Sequence, residues 1–367
     1  MNKNILNIIM IGCFVLITFG FMFVNVFKPN ADFSFAERRK LLSAPQFSGT
    51  TLLNGKYFDD YEKYFLDQFI FRDNFRGFTA FTKLFLLNQQ DYNDIYAVDG
   101  NICKIEYPLS EKAILNAAQK LNQVYDLYLQ GLNVNYAVIP DKNYFMGPSY
   151  GAPTMDYGKL LDILQSDIRN IQYIDLFSGL SINDYYKTDI HWSQDKIIGV
   201  ADILMAGIGN SILPSDFGYT IKELAPFYGS LHGQAALNLP AETLFYLTNA
   251  MLEEAVVFDY ETMKKSSIYV TDLFEGIDPY DVFLSGAKAL LTIENPNATT
   301  DKELILFRDS FGSSIAPLLA CGYSKITLVD LRYITTDLLG NYIDFSAADD
   351  VLFLYSTQIL NNSFMLR

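Results

Sequence analysis

The chain opens on an apolar run. Residues 5–27 carry no charge, and only Asn7, Thr18 and Asn25 interrupt the apolar positions. At 1.5 Å per residue this makes a helix of roughly 34 Å, enough for a hydrocarbon core of about 30 Å. A secretory signal has a shorter apolar region and an A-x-A-like cleavage site. None follows here, so an uncleaved membrane anchor is expected. The flanking charges do not settle orientation: Lys3 precedes the run, and Lys28, Arg38, Arg39 and Lys40 follow it. Residues 30–47, polar and containing Glu37-Arg38-Arg39-Lys40 and Pro45, read as a stalk. Beyond Asn54-Gly55, Tyr57, Phe58, Tyr61, Tyr64, Phe65, Phe69 and Phe71 recur at about helical spacing. This predicts amphipathic aromatic helices whose apolar face packs against the main domain.

From residue 96 the pattern alternates between periods. Residues 96–105 predict a hairpin turning at Asp99-Gly100. Ser110 with Glu111 opens a helix that runs to about Gly131. Residues 134–139 form an apolar strand, closed by Pro140-Asp141-Lys142. Helical spacing covers 157–169, 193–207 and 242–257, the last with Tyr and Thr inside it. Strands are predicted at 171–176, 268–273, 289–293, 304–307, 326–329 and 351–355. A short helix spans 314–321, with Gly322 where a helix-ending glycine belongs. Strands alternating with helices predict an α/β domain with a mainly parallel sheet. The expected division is an anchor helix at 1–27, a stalk and aromatic helical region at 28–95, and the α/β domain at 96–367.

Composition narrows the chemistry. The 367 residues carry a formal net charge of −15. An acidic surface repels phosphate backbones, so nucleic acid is not an expected partner. Only two histidines exist, His191 and His232, which excludes a His-rich metal site. Cys13, Cys103 and Cys321 lack the CxxC spacing of a zinc ribbon or thioredoxin motif. Cys103 and Cys321 are a conceivable disulfide pair that spacing alone does not establish.

Two segments carry reactive groups. In Leu304-Ile-Leu-Phe-Arg-Asp-Ser-Phe-Gly-Ser-Ser314 a strand ends in Arg308-Asp309-Ser310 and a helix follows. Ligand sites in open α/β sheets lie beyond the carboxyl ends of strands. A serine there presents its hydroxyl at the rim, and the N–H groups of the following turn, Gly312 among them, can hold an oxyanion. A strand-end turn with no chemistry is the competing reading. In Tyr185-Tyr-Lys-Thr-Asp-Ile-His-Trp-Ser193, Asp189 and His191 stand two apart just before a helix. A loop at that spacing can turn the carboxylate onto Nδ1 and leave Nε2 free to take a serine proton. A metal pair or a surface loop is less economical. His232 has no acidic residue near it in sequence and reads as a loop or substrate-side residue. Trp192, the only tryptophan, is either a wall for a sugar face or a packing anchor for the histidine loop.

Taken together, the two segments resemble the DHHW family of bacterial proteins, which is related to the SGNH-hydrolase-like O-acetyltransferases of alginate export. Further matches are Glu37-Arg-Arg39 with Pro45, Asn54-Gly55, Asp67-Gln-Phe-Ile-Phe-Arg-Asp73, Tyr280-Asp-Val-Phe-Leu-Ser-Gly286 and Val329-Asp-Leu-Arg-Tyr333. The resemblance covers nearly the whole chain. It implies an SGNH-like three-layer domain in permuted order, with the Asp-His element before the serine. It also implies Ser310 as nucleophile, His191 as base and Asp189 as its orienter. Ile190 departs from the family pattern, which has a second histidine there. Gly286, Asn295, Gly312 and Arg332 are candidates for the substrate-binding or oxyanion side. The activity implied is extracytoplasmic acetyl transfer to an exported or cell-surface polysaccharide, with a polytopic membrane acyltransferase as donor. The acceptor and the donor are the expected partners, with the membrane engaged through the N-terminal helix. No cofactor and no metal is called for. A glycan O-acetyl esterase of the same fold and a non-catalytic glycan-binding or assembly protein are the alternatives.

Overall fold

The computed structural model describes residues 3–237 and 239–367. The chain divides into two compact units, residues 1–92 with 233–238, and residues 93–232 with 239–367.

The first unit starts with helix α1 (Lys3–Phe27), whose stretch Asn4–Phe27 is long and apolar enough to cross a membrane. The segment read as a stalk is folded. Phe33–Ser34 pairs antiparallel with Arg39–Lys40. Helices α2 (Lys56–Asp67) and α3 (Arg72–Phe81) follow, the latter continuing in wider turns through Thr82–Leu86. Gln68 at the corner is buried and sews the unit together. Its Oε1 accepts from Ala31 N at 3.0 Å, and its Nε2 donates to the carbonyls of Ala31 and Leu42 at 2.8 and 3.1 Å. Within the Glu37–Lys40 run, Glu37 and Arg39 are paired as well. Arg39 grips Asp67 with two bonds of 2.9 and 2.6 Å, and Glu37 takes Arg72 at 2.6 Å and Arg76 at 3.1 Å. The aromatic positions read at helical spacing are unequally covered: Tyr57, Tyr64, Phe65 and Phe69 are half-buried, while Phe58, Tyr61 and Phe71 are 61, 43 and 61 % exposed.

The second unit is built on one eight-stranded sheet. Its strands are β1 (Asn133–Ile139), β2 (Gln172–Ile174), β3 (Val256–Asp259), β4 (Lys264–Ser267), β5 (Leu290–Glu294), β6 (Glu303–Arg308), β7 (Lys325–Val329) and β8 (Asp350–Ser356). Their spatial order is β4-β3-β5-β7-β6-β8-β1-β2. From β7 to β2 every pairing is parallel; β5, β3 and β4 add an antiparallel edge. The central strands are apolar on both faces because both are covered. Leu304 and Leu306 of β6 enter one core, with helices α7 (Ile198–Ile208) and α8 (Phe311–Leu319). Ile305 and Phe307 enter the other, with α4 (Glu111–Val124) and α6 (Tyr157–Asp167). The result is the three-layer α/β architecture expected from the sequence. The hairpin also forms, Ile95–Val98 against Asn101–Lys104, with Asp99 and Gly100 at positive φ as a tight hairpin turn requires.

Three local readings are corrected. Residues 242–257 are not one helix: Glu242–Thr248 is a strand paired with Thr220–Phe227, and Asn249 then caps the short helix Ala250–Glu254 before β3 begins. The Tyr and Thr content favours a pleated surface, and Leu244 and Leu247 supply its buried contacts. Residues 268–273 give only a bridge, Tyr269 to Phe283, followed by a 3-10 turn at Thr271–Glu275. Gly322 is not a left-handed cap. It lies in the 3-10 turn Ala320–Gly322, where a Cβ would sit 2.3 Å from Met205 Cε. Cys103 and Cys321 are free buried thiols in separate clusters, one with Tyr96 and Met146, the other in the α7–α8 core.

Candidate active site

The site lies at the carboxyl ends of β6, β8 and β1. Asp309 organises the end of β6. Its Oδ1 accepts from Phe311 N at 3.0 Å and starts α8; its Oδ2 accepts from Ser356 N at 2.8 Å and fastens the end of β8. Ser310 therefore need not cap the helix with its own side chain, and its half-buried hydroxyl is left for another partner.

That partner is on the 185–193 loop. His191 Nε2 is 2.7 Å from Ser310 Oγ, and His191 Nδ1 is 2.6 Å from Asp189 Oδ1. Asp189 is fully buried, and His191 is 5 % exposed. The same carboxylate accepts from His191 N at 3.0 Å and, through Oδ2, from Ser230 N at 2.6 Å. With Oδ1 accepting from Nδ1–H, the imidazole presents an unprotonated Nε2 to the serine. Two rings hold the imidazole: Tyr280 stacks on it at 4.0 Å and 8°, and Phe311 meets it tilted at 4.8 Å and 57°.

The loop is closed on itself and braced from below. Tyr185 bridges Trp192, Tyr186 N donates to His191 O at 3.0 Å, and Ser193 N donates to Asp184 O at 2.7 Å. Trp192 is fully buried, and its indole N–H donates to Ser314 Oγ at 2.8 Å. It is the packing anchor of the two readings and forms no wall for a sugar. Tyr280 O–H donates to the same Ser314 oxygen at 2.7 Å. Glu242 accepts from the amides of Lys187 and Thr188 at 2.8 and 2.6 Å.

Lys142 is the least expected brace. It begins helix α5 (Lys142–Tyr150), capped by Asp141, and is 3 % exposed. Its ammonium donates to the carbonyls of Tyr186, Lys187 and Asp189 at 2.7, 2.8 and 3.2 Å. Burial pulls its pKa down to about 8, against the opposing pull of Cys103, Asp189 and Glu242. Asp141, pushed up by burial, is held by Tyr157 and Thr357 hydroxyls. The sequence signal for this pair was the Pro-Asp-Lys run directly after a strand, which was legible as a stop and not as a clamp.

The remaining candidates separate. Asn295 lies at the wrong end of the sheet. It follows β5 beside Ser324, and its side chain donates to Ala320 O. The length of β6, roughly 17 Å, lies between it and Ser310. Gly312 is at the site, but its N–H already donates to Asp309 O at 3.1 Å. What requires glycine there is Arg308, whose Cβ would be 2.5 Å from an added methyl. Gly286, at φ +83°, also serves Arg308, offering its carbonyl at 3.5 Å from Nη2. Arg332 binds Asp330 through Nε and Nη2 at 2.9 and 2.6 Å, so its guanidinium is committed to that carboxylate. His232 lies on the short helix Ser230–Ala235 beside Tyr228, and its backbone N donates to Thr188 O. Burial lowers its pKa. A 370 Å³ cavity on the far side of the loop is lined by Tyr186, Lys187, Glu242 and Phe245, and includes neither Ser310 nor His191.

No protein-family profile and no curated protein matches the chain. Solved structures do. A DHHW family protein from Eubacterium siraeum superposes with a TM-score of 0.61 at 20% identity, covering 75% of this chain and 95% of that one. The chain shares its fold. PatB1 of Bacillus cereus gives a TM-score of 0.57 at 21% identity over 72% of this chain and 96% of its own. It has also been solved with a sulfonyl adduct. The O-acetyltransferase domain of Pseudomonas putida AlgJ superposes less closely, with a TM-score of 0.45 at 11% identity over 73% and 92%. The DHHW family that the motifs resemble is thus represented among the structures sharing this fold.

Proposed function

We propose that the chain is an O-acyltransferase working through an acyl-enzyme on Ser310. The observation that carries this reading is the unbroken series Asp189–His191–Ser310, with bonds of 2.6 and 2.7 Å. In the first half-reaction the Ser310 O–H proton passes to His191 Nε2 as Oγ attacks the acyl carbonyl. The leaving group of the donor takes that proton back, and the acyl ester remains on Ser310. In the second half-reaction an acceptor hydroxyl gives its proton to Nε2 and attacks the ester, and Ser310 Oγ recovers the proton. Asp189 keeps the imidazole in the required tautomer and stabilises the imidazolium formed in between. Within the turn the Phe311 and Gly312 amides are already engaged. This leaves the Ser310 N–H as the donor the turn offers to the oxyanion.

The acceptor we propose is a hydroxyl of an exported or cell-surface polysaccharide, and the acyl group acetyl. The sequence resemblance to the DHHW family and its alginate-acetylating relatives supports this choice. Helix α1, apolar along Asn4–Phe27, supports a membrane-anchored protein; the reactive unit is placed outside the cytoplasm by the proposed acceptor, an exported or cell-surface glycan. A polytopic acyltransferase is the proposed donor.

The test is single-turnover reaction of the purified protein with an activated acetyl ester, followed by addition of oligosaccharide. An acetyl group on the Ser310 peptide, then transferred to the sugar, is the expected result. Loss of the acetyl group to water alone, unaffected by sugar, makes the protein an esterase. No acyl-enzyme at all, in a folded protein, leaves the non-catalytic reading.

A further inference from the structure

Helix α3 and its continuation present three faces. Ala80 and Leu84 are buried. Arg72 and Arg76 turn to Glu37. The third face carries Phe71, Phe75, Phe78, Phe81 and Phe85 at three- and four-residue spacing, which are 61, 48, 68, 50 and 58 % exposed. Leu86 and Leu87 extend it, 66 and 63 % exposed. A contiguous aromatic stripe of this kind on the outside of a folded unit marks an interaction surface.

Contacts inside the same unit fix where the stripe lies along α1. Ile70 N donates to Asn25 Oδ1 at 2.9 Å. Phe69 stacks on Phe21 at 5.8 Å and 6°, and Phe75 meets the same ring at 6.0 Å. Phe21 stands six residues (27 minus 21) before the last residue of α1, roughly 9 Å along the helix axis. Interfacial helices bury their apolar faces, in which Phe and Leu are common, about 5–10 Å into the headgroup and acyl boundary. Between α1 and the corner runs an apolar groove of about 430 Å³, lined by Ile17, Phe21, Met22, Phe65, Phe69 and Phe75. Its lining reaches ten residues inside the end of α1, to acyl-chain depth.

We propose that α3 and its continuation are an interfacial membrane helix, with the Phe71–Phe85 stripe immersed in the lipid leaflet that α1 leaves and the groove occupied by acyl chain. The occupant is the bilayer, because Phe75 of the stripe is held against Phe21, in a segment of α1 that lies at lipid depth when that helix spans. The basic face of α3 is paired, Arg72 and Arg76 with Glu37 and Asp73 and Arg72 also with Asp67, so it does not draw the helix off into water. This places the first unit in the membrane surface through two elements, whatever reaction the second unit performs.

The experiment uses the full-length chain with Cys13→Ser; the two remaining thiols are buried. Nitroxide labels are placed singly at Phe78→Cys, Phe85→Cys, Asp60→Cys and Asp73→Cys, with Val15→Cys in α1 as the lipid reference. The labelled proteins are reconstituted in phosphatidylcholine–phosphatidylglycerol vesicles. Phe78 and Phe85 are exposed, so labels there leave the core intact. Collision rates with oxygen severalfold above those with a water-soluble nickel chelate are expected at 15, 78 and 85, and the reverse at 60 and 73. Aqueous behaviour at 78 and 85 overturns the proposal, whether or not 15 lies in lipid. Protection from both reagents at 78 and 85 overturns it too, since the stripe is then covered by protein.

Discussion

Phe311 and Phe78 are the same side chain put to opposite use. Phe311 is 2 % exposed, and its ring meets His191, Trp192 and Tyr185. Phe78 is 68 % exposed on a helix whose buried face is Ala80 and Leu84. Around Phe311 every aromatic with a polar end has a partner: Trp192 and Tyr280 both reach Ser314 Oγ, and Tyr185 O–H donates to Pro140 O at 2.5 Å. The residues that share the exposed stripe with Phe78 are Phe71, Phe75, Phe81 and Phe85, which have no polar end to satisfy. One region spends its aromatics on fixing a single imidazole; the other leaves them facing outward, where a solvent other than water suits them.

Mutations at the reactive groups draw the sharpest line between the regions. Ser310→Ala removes the proposed nucleophile and leaves the packing of α8 intact. Acylation in single turnover should fall by roughly 10⁴- to 10⁶-fold, with thermal unfolding unchanged. Asp189→Asn keeps the loop's shape, removes the charge and favours the wrong tautomer, for a loss of up to roughly 10⁴-fold. His232→Ala should cost far less, because His232 lacks the carboxylate partner that His191 has. Equal inactivity of folded His232→Ala and His191→Ala in the same assay breaks the assignment of the base.

The clamp below the loop gives the next largest effect. Lys142→Met leaves three loop carbonyls without their donor and lets His191 drift from Ser310, a misplacement worth roughly 10- to 100-fold in acylation rate. Its pH signature is separable from a structural defect. With its pKa lowered to about 8 from 10.5, Lys142 loses its charge and one N–H as pH rises through 8. Wild-type acylation should therefore acquire an alkaline limb near pH 8 that Lys142→Met lacks. Stability runs the other way. Between pH 8 and 10.5 the unfolded chain holds a proton at this position that the folded chain has released, so this group's contribution to stability rises with pH. Acylation rates and denaturant midpoints measured on the same samples check both signs.

The Asp189–His191–Ser310 arrangement was legible because its members are local in sequence or announced by a strand end. Asp189 and His191 sit two apart, and Ser310 follows an apolar strand, so burial and topology bring them together in the expected order. The brace was not legible. Lys142 meets Tyr186 through packing of α5 under a loop 44 residues away, and nothing in a Pro-Asp-Lys run indicates which carbonyls its ammonium will find. Asn295 failed for the converse reason. It is a suitable oxyanion donor by type, but β5 runs antiparallel and delivers its end to the far side of the sheet. The 242–257 segment failed because its period is ambiguous until Thr220–Phe227 arrives to pair with it. The aromatic spacing was read only through Phe71, so most of the stripe on α3, from Phe75 to Phe85, was not singled out; what the chain itself does not encode locally is whether such a face meets protein or lipid.

The smallest expected effects come from trimming one aromatic in each region, and these test the comparison most directly. Tyr280→Phe keeps the ring stacked on His191 and removes only the hydroxyl that donates to Ser314 Oγ. Ser314 Oγ retains Trp192 as a donor and donates itself to Phe311 O at 3.3 Å, so no buried group is stranded. The cost should be about 1 kcal/mol of stability, with a few-fold loss of acylation as the ring gains freedom. Phe78→Ser removes more apolar surface than that change does, yet from a side chain with little contact to lose. In detergent its unfolding free energy should change by less than about 0.5 kcal/mol and its acylation rate should be unchanged. In vesicles the same substitution should weaken protection of the α3 backbone amides from hydrogen exchange, because the lipid contact is gone. If Phe78→Ser instead destabilises the detergent-solubilised chain as much as a core phenylalanine, by about 3–5 kcal/mol, then the stripe is a buried surface in solution and the contrast between the two regions disappears.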